Sequence, residues 1–282
     1  MHIFSCVDLR TYKNAEASRW ETKDLRCDWV NYTGSSACDV IEKSRYDEIY
    51  FVGDSLLRNM FAAFLMLLSD DPLKGAWSSA KITAEQKRVC VGESQYFWKH
   101  CRQLVSDMAS FLQPEKLCAG RKPKFTATYK PYYVSKRPGD FLKLLKPLHG
   151  KRGILVVIAI GHHMNFSAES VIEDYLEPVM TYFKLSAATD WPHFFYILPM
   201  PGSLLKPPKF ISRQNNEDLP LFASRLRDFC RRWNVPVFDF RQLSENVHSF
   251  DGTHYGRGVN LMKVQVFLNY LAHVSHHLPK AD

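Results

Sequence analysis

Apolar positions along this chain follow two rhythms. Short unbroken runs rich in β-branched and aromatic residues, Ile49 to Val52 and Ile154 to Ile160, read as buried strands. Lys124 to Val134, His193 to Met200 and Val235 to Phe240 are further predicted strands. Segments of helical composition and period lie between them: Leu56 to Leu68, Asp140 to Leu148, Ala168 to Leu185, Asn216 to Trp233 and Val259 to Val274. Strands separated by helices predict an α/β fold, a three-layer α/β/α sandwich with a central parallel sheet. The segment at about 70–122 fits neither rhythm and reads as an insertion. The expected organisation is therefore a Cys-containing extension at 1–45, a single domain at 46–275 with that insertion, and a tail at 276–282.

The stretch Tyr50-Phe51-Val52-Gly53-Asp54-Ser55-Leu56-Leu57-Arg58-Asn59 reads as a buried strand that breaks sharply into a helix. Gly53 permits a tight turn, and Ser55 falls at the helix N-terminus, where free backbone N–H groups and the helix dipole favour an oxyanion. Asp54 or Ser55 could serve only as a helix cap. Near the other end, Asp251-Gly252-Thr253-His254 precedes the helical segment from Val259. A serine nucleophile needs a base, and the base needs an acceptor that fixes its tautomer. Ser55, His254 and Asp251 supply those three roles. An Asp-Gly-Thr-His turn alone could be a capped loop; its pairing with a serine at a strand-to-helix break points to catalysis. A third block, Gly161-His162-His163-Met164-Asn165, is the turn leaving the strand Ile154 to Ile160, and ligands gather at such carboxyl ends.

Gly53-Asp54-Ser55-Leu56 together with Asp251-x-x-His254 resembles the SGNH, or GDSL-type, hydrolase superfamily. Phe51 to Asn59, Phe250-Asp251-Gly252-Thr253-His254-Tyr255 and Val259-Asn260-Leu261-Met262-Lys263 are similar to its PC-esterase group. That group includes plant trichome-birefringence-like polysaccharide O-acetyltransferases and the C-terminal domains of neurexophilin-and-PC-esterase proteins. The resemblance covers about Tyr46 to Leu271, with its specific strings confined to three short blocks. It implies a flavodoxin-like sandwich, a Ser-His-Asp triad without cofactor or metal, an acylated carbohydrate substrate and a possible acetyl donor. Gly53, Asp54, Arg58 and Asn59 would support the turn. The superfamily's Gly-x-Asn oxyanion block is here Gly-His-His-Met-Asn. The implied donor is the Gly161 backbone, with His162 or His163 lining the pocket and Asn165 as the second choice. The superfamily's separate glycine block has only Gly92 and Gly139 as weak matches. The alternative is a catalytically silent glycan-binding or scaffolding domain of the same fold.

At 282 residues and 46% hydrophobic content the chain can bury a sizeable core. Six of its seven cysteines (Cys6, Cys27, Cys38, Cys90, Cys101 and Cys118) precede the third block, and Cys230 follows it. Concentration outside the predicted strands suits disulfides, and at least one is expected among Cys27, Cys38, Cys90, Cys101 and Cys118. Sequons at Asn31 and Asn165 fit a secretory or Golgi-lumenal location, although no signal peptide is visible and no apolar run spans a membrane. The net charge of +8 invites an anionic partner. Lys143, Lys146, Lys151 and Arg152 form one basic group, and Arg225, Arg227, Arg231 and Arg232 another. Without a recognised motif they read as solvated helix faces, not as a nucleic-acid site. Trp77, Tyr96 and Trp98 in the insertion could stack on sugar rings or pack in its interior.

Overall fold

The computed structural model describes residues 29–79, 82–105, 107–133, 139–185, 190–203 and 205–277. Five strands, β1 (Glu48–Gly53), β2 (Thr126–Pro131), β3 (Ile154–Ala159), β4 (His193–Ile197) and β5 (Val237–Phe238), form one parallel sheet in the order β2-β1-β3-β4-β5. The central strand β3 is buried along its whole length, so its residues are apolar on both faces. Leu155 and Val157 point into one core with the helices α1 (Gly34–Lys43), α2 (Ser55–Leu68) and α6 (Arg257–His277). Ile154, Val156 and Ile158 point into the other. That second core is covered by α3 (Gly139–Leu145), α4 (Glu177–Leu185) and α5 (Leu219–Arg232). The result is an α/β sheet flanked by helices on both faces.

The predicted strands are all present but shorten toward the edges. β2 keeps six residues, ending at Pro131, and β5 pairs only through Val237 and Phe238, just after Pro236. Proline cannot donate to a ladder, and an edge strand has one partner to hold it. The region read as an extension contains α1, whose Ala37, Cys38 and Ile41 are fully buried in the first core. Cys38 is bonded to Cys118, and Cys90 to Cys101. Cys6 and Cys27 lie outside the described residues, and Cys230 is a buried free thiol.

The insertion holds only short helices, Ala84–Val89, Ser94–Phe97 and Lys99–Arg102, and 3₁₀ turns at Met108–Ser110 and Pro114–Gly120. Two of its three aromatic candidates are packing residues. Trp77 is buried and donates its ring N–H to the Cys90 carbonyl at 2.7 Å. Tyr96 is fully buried against Met66 of α2. Trp98 is 43% exposed. Arginines of the α5 basic group are paired with acids, Arg225 with Glu169, Arg227 with Asp239 and Arg231 with Asp228. No described helix is long and apolar enough to cross a membrane.

In the order β2-β1-β3-β4-β5 the chain leaves β1 toward one side of the sheet and returns to the other side with β3. The crevice between the carboxyl ends of β1 and β3 is the switch point at which doubly wound sheets place ligands. Ser55 follows β1 and Gly161 follows β3, so both stand at this crevice.

Candidate active site

Gly53 is demanded by the close approach of β3, because a Cβ there would lie 2.2 Å from the Ala159 carbonyl oxygen. Asp54 donates its own N–H to that oxygen at 3.2 Å and caps α2, its Oδ1 accepting from Leu56 N–H at 2.9 Å. The Tyr129 hydroxyl of β2 sits 3.0 Å from the carbonyl oxygens of Gly53 and Asp54. The turn is thus fixed from both neighbouring strands. Burial pushes the Asp54 carboxyl up, while His163, the Leu56 N–H, His254 and Lys263 act in the opposite direction. Buried Lys263 is pulled down to about 7 by desolvation, and its ammonium donates to Asn260 Oδ1 at 3.3 Å. Asn260 in turn donates to the carbonyls of Tyr255 and Gly256, which tie the start of α6 to the histidine loop.

That loop is held by Asp251. Its Oδ1 accepts from the backbone N–H groups of Thr253 at 3.0 Å and His254 at 2.7 Å. Gly252 has φ +78°, and a Cβ there would fall 1.8 Å from the Lys206 backbone nitrogen, so only glycine fits. Asp251 Oδ2 lies 2.7 Å from His254 Nδ1, and His254 Nε2 lies 2.7 Å from Ser55 Oγ. A carboxylate can only accept, so Nδ1 carries the proton and Nε2 is free to accept from the serine hydroxyl. Burial raises the Asp251 carboxyl. The His254 ring and the two backbone donors outweigh that and hold it well below the usual carboxylate range.

Around Ser55 two backbone donors are unused. Among the described residues, the N–H groups of Ser55 and Gly161 make no internal hydrogen bond, whereas Leu56 N–H is taken by Asp54. His162 is buried, and among the described residues neither of its ring nitrogens has a hydrogen-bond partner. Burial and the Lys206 charge pull it down to about 3, so it is neutral. His163 is exposed and lies edge-on to Tyr133 at 5.4 Å. Asn165 is exposed in left-handed backbone and makes no hydrogen bond to Ser55 or His254. Arg58 donates to Asn59 Oδ1 at 3.1 Å and to the Tyr133 hydroxyl at 3.3 Å, and Asn59 is buried beside it.

One residue at the site carries no sequence signal. Arg102, from the insertion, places Nη1 3.3 Å and 3.4 Å from the two ring nitrogens of His254. Its approach is set by Phe97 packing on Phe250 at 4.3 Å and by Glu93 accepting the Arg257 N–H at 2.9 Å. Cys90, His100 and Cys101 also cluster in the insertion, but the disulfide consumes both thiols that a metal would need.

No protein-family model and no curated protein matches the chain. Among solved structures it is similar to Est24, a carbohydrate acetylesterase from Sinorhizobium meliloti. The match has 10% identity and a TM-score of 0.43, covering 80% of this chain and 99% of that one.

Proposed function

We propose that the protein is a serine-dependent acyl-ester enzyme acting on O-acyl, above all O-acetyl, groups of carbohydrate. The observation that carries this reading is the continuous hydrogen-bonded chain from Asp251 through His254 to Ser55, placed at the switch point of the sheet. His254 Nε2 takes the Ser55 proton as Oγ attacks the ester carbonyl, and Asp251 stabilises the imidazolium. The N–H groups of Ser55 and Gly161 are available to the tetrahedral oxyanion. Collapse returns the proton to the departing sugar oxygen and leaves an acyl-serine. Water resolving that intermediate makes an esterase; a sugar hydroxyl makes an O-acetyltransferase. The PC-esterase resemblance supports the carbohydrate substrate, and the two disulfides fit a lumenal or secreted setting.

The test is mass spectrometry with an activated acetyl ester. The expected result is a transient acetyl adduct on the peptide containing Ser55, absent in Ser55→Ala. Faster clearance of that adduct by an added polysaccharide than by water identifies transfer. A protein that never labels at Ser55, yet binds glycans as well as Ser55→Ala does, overturns the reading in favour of a silent binding domain.

A further inference from the structure

Both ring nitrogens of His254 are engaged in the plane of the ring, one by Asp251 and one by Ser55. The Arg102 guanidinium, nearly equidistant from the two, therefore lies on the face of the imidazole instead of bonding to it. Arg58 stands on the first turn of α2, one turn from the serine. Burial and the Arg58 charge lower the pKa of the Arg102 guanidinium, while the Asp251 carboxylate and the Tyr133 hydroxyl act in the opposite direction. Among the described residues neither is ion-paired with a carboxylate. Two guanidiniums without an ion-pair partner among the described residues, Arg102 offset in part by the Asp251 charge, oppose the positive charge that His254 must take on when it deprotonates Ser55. A negative group bound between them would remove that opposition.

We propose that Arg58 and Arg102 form a carboxylate-binding subsite beside Ser55, so that the preferred ester is borne by a sugar that also carries a carboxylate. This rests on the acyl-ester reading of the same site. The planar fork of each guanidinium matches a carboxylate, and two forks from different segments fix both its position and its orientation. Tyr133 is 40% exposed, with its hydroxyl against Arg58, and offers the ring wall that such a sugar needs.

The experiment compares O-acetylated methyl glucuronoside with O-acetylated methyl glucoside, which differ only in the carboxylate. The expected kcat/KM is at least tenfold higher for the glucuronoside, and the preference shrinks as salt is raised. R102Q and R58Q should each bring the ratio toward one, and R102K should retain part of it. Binding of both sugars to Ser55→Ala protein gives a readout independent of turnover. Selective binding of the glucuronoside that R102Q abolishes supports the subsite even if no ester is hydrolysed, in which case only the acyl-ester reading falls. Equal binding, equal kcat/KM, or a preference that survives the double variant R58Q/R102Q overturns it. R102Q lies in the insertion and keeps the test open should R58Q, whose side chain holds Asn59, fail to fold.

Discussion

His254 is touched from two sides by regions that keep their shape by different means. The sheet side reaches it through Ser55, on a turn clamped by β2 and β3 and backed by a core of Phe51, Phe61 and Phe64. The insertion reaches it through Arg102, on a segment with a small cluster of Trp77, Cys90, Cys101 and Leu104 and two disulfides. A region with so little apolar interior depends on covalent ties to hold a side chain in place. On the proposed function, acyl chemistry falls to the rigid region and recognition to the stapled one. Four measurements can break or sharpen that division.

The largest effect is expected at the serine. Ser55→Ala and His254→Ala should each lower acetyl-ester turnover about a thousandfold or more, and Asp251→Asn at least about a hundredfold. Phe97→Ala, which frees the insertion from Phe250, should cost at most about tenfold on a neutral ester. A Phe97→Ala loss as large as that of Ser55→Ala would end the division.

Next comes Gly53→Ala. The added Cβ meets backbone, which cannot step aside, so denaturant melts should show a loss of roughly 3 kcal/mol or more. A neutral result would mean that the elbow is not clamped.

The disulfides should differ from each other. Cys38–Cys118 closes a separation of 80 residues and Cys90–Cys101 one of 11. Loop-closure entropy then gives upper bounds of about 4.5 and about 2.8 kcal/mol on what C38A/C118A and C90A/C101A remove. Only the second pair borders Arg102, so only its loss should disturb sugar preference by freeing that side chain.

The smallest effect is in acid. Asp251 has a folded pKa below its unfolded value, so its stabilisation is present above a pH of about 4 and is lost as pH falls through the folded value. The stability gap between wild type and Asp251→Asn in urea melts should be constant near neutrality and narrow below about pH 4. A gap that stays constant into strong acid would show that Asp251 is not held as described.

Much of this division could be read from the chain. Ile154 to Ile160 carries no polar residue, and β3 is buried throughout, since only a strand covered on both faces tolerates that pattern. Ser55, Asp251 and His254 were legible because each lies in a short string whose meaning is local. Arg102 was not legible, because its position depends on contacts between residues more than 150 apart, such as Glu93 with Arg257 and Arg102 with His254 itself. Trp77 and Tyr96 were ambiguous for a related reason. An aromatic residue reads the same in a sequence whether it packs or is displayed, and here both are buried, Tyr96 on a short helix and Trp77 outside any. The helix α1 lies hidden behind the cysteines of residues 1–45, because its signal is only the helical spacing of the buried positions Ala37, Cys38 and Ile41.

Ser55 and His254 are separated by 199 residues, and the histidine is followed by the helix that packs on α2. As the polypeptide leaves the ribosome, the serine emerges first into a chain that has no base, with Phe51 not yet covered by Phe267. A chain that stops short of His254 therefore carries Ser55 without its proposed base. On the proposed function, the serine and its base come together only once α6 has docked on α2, so the onset of chemistry is tied to that folding event.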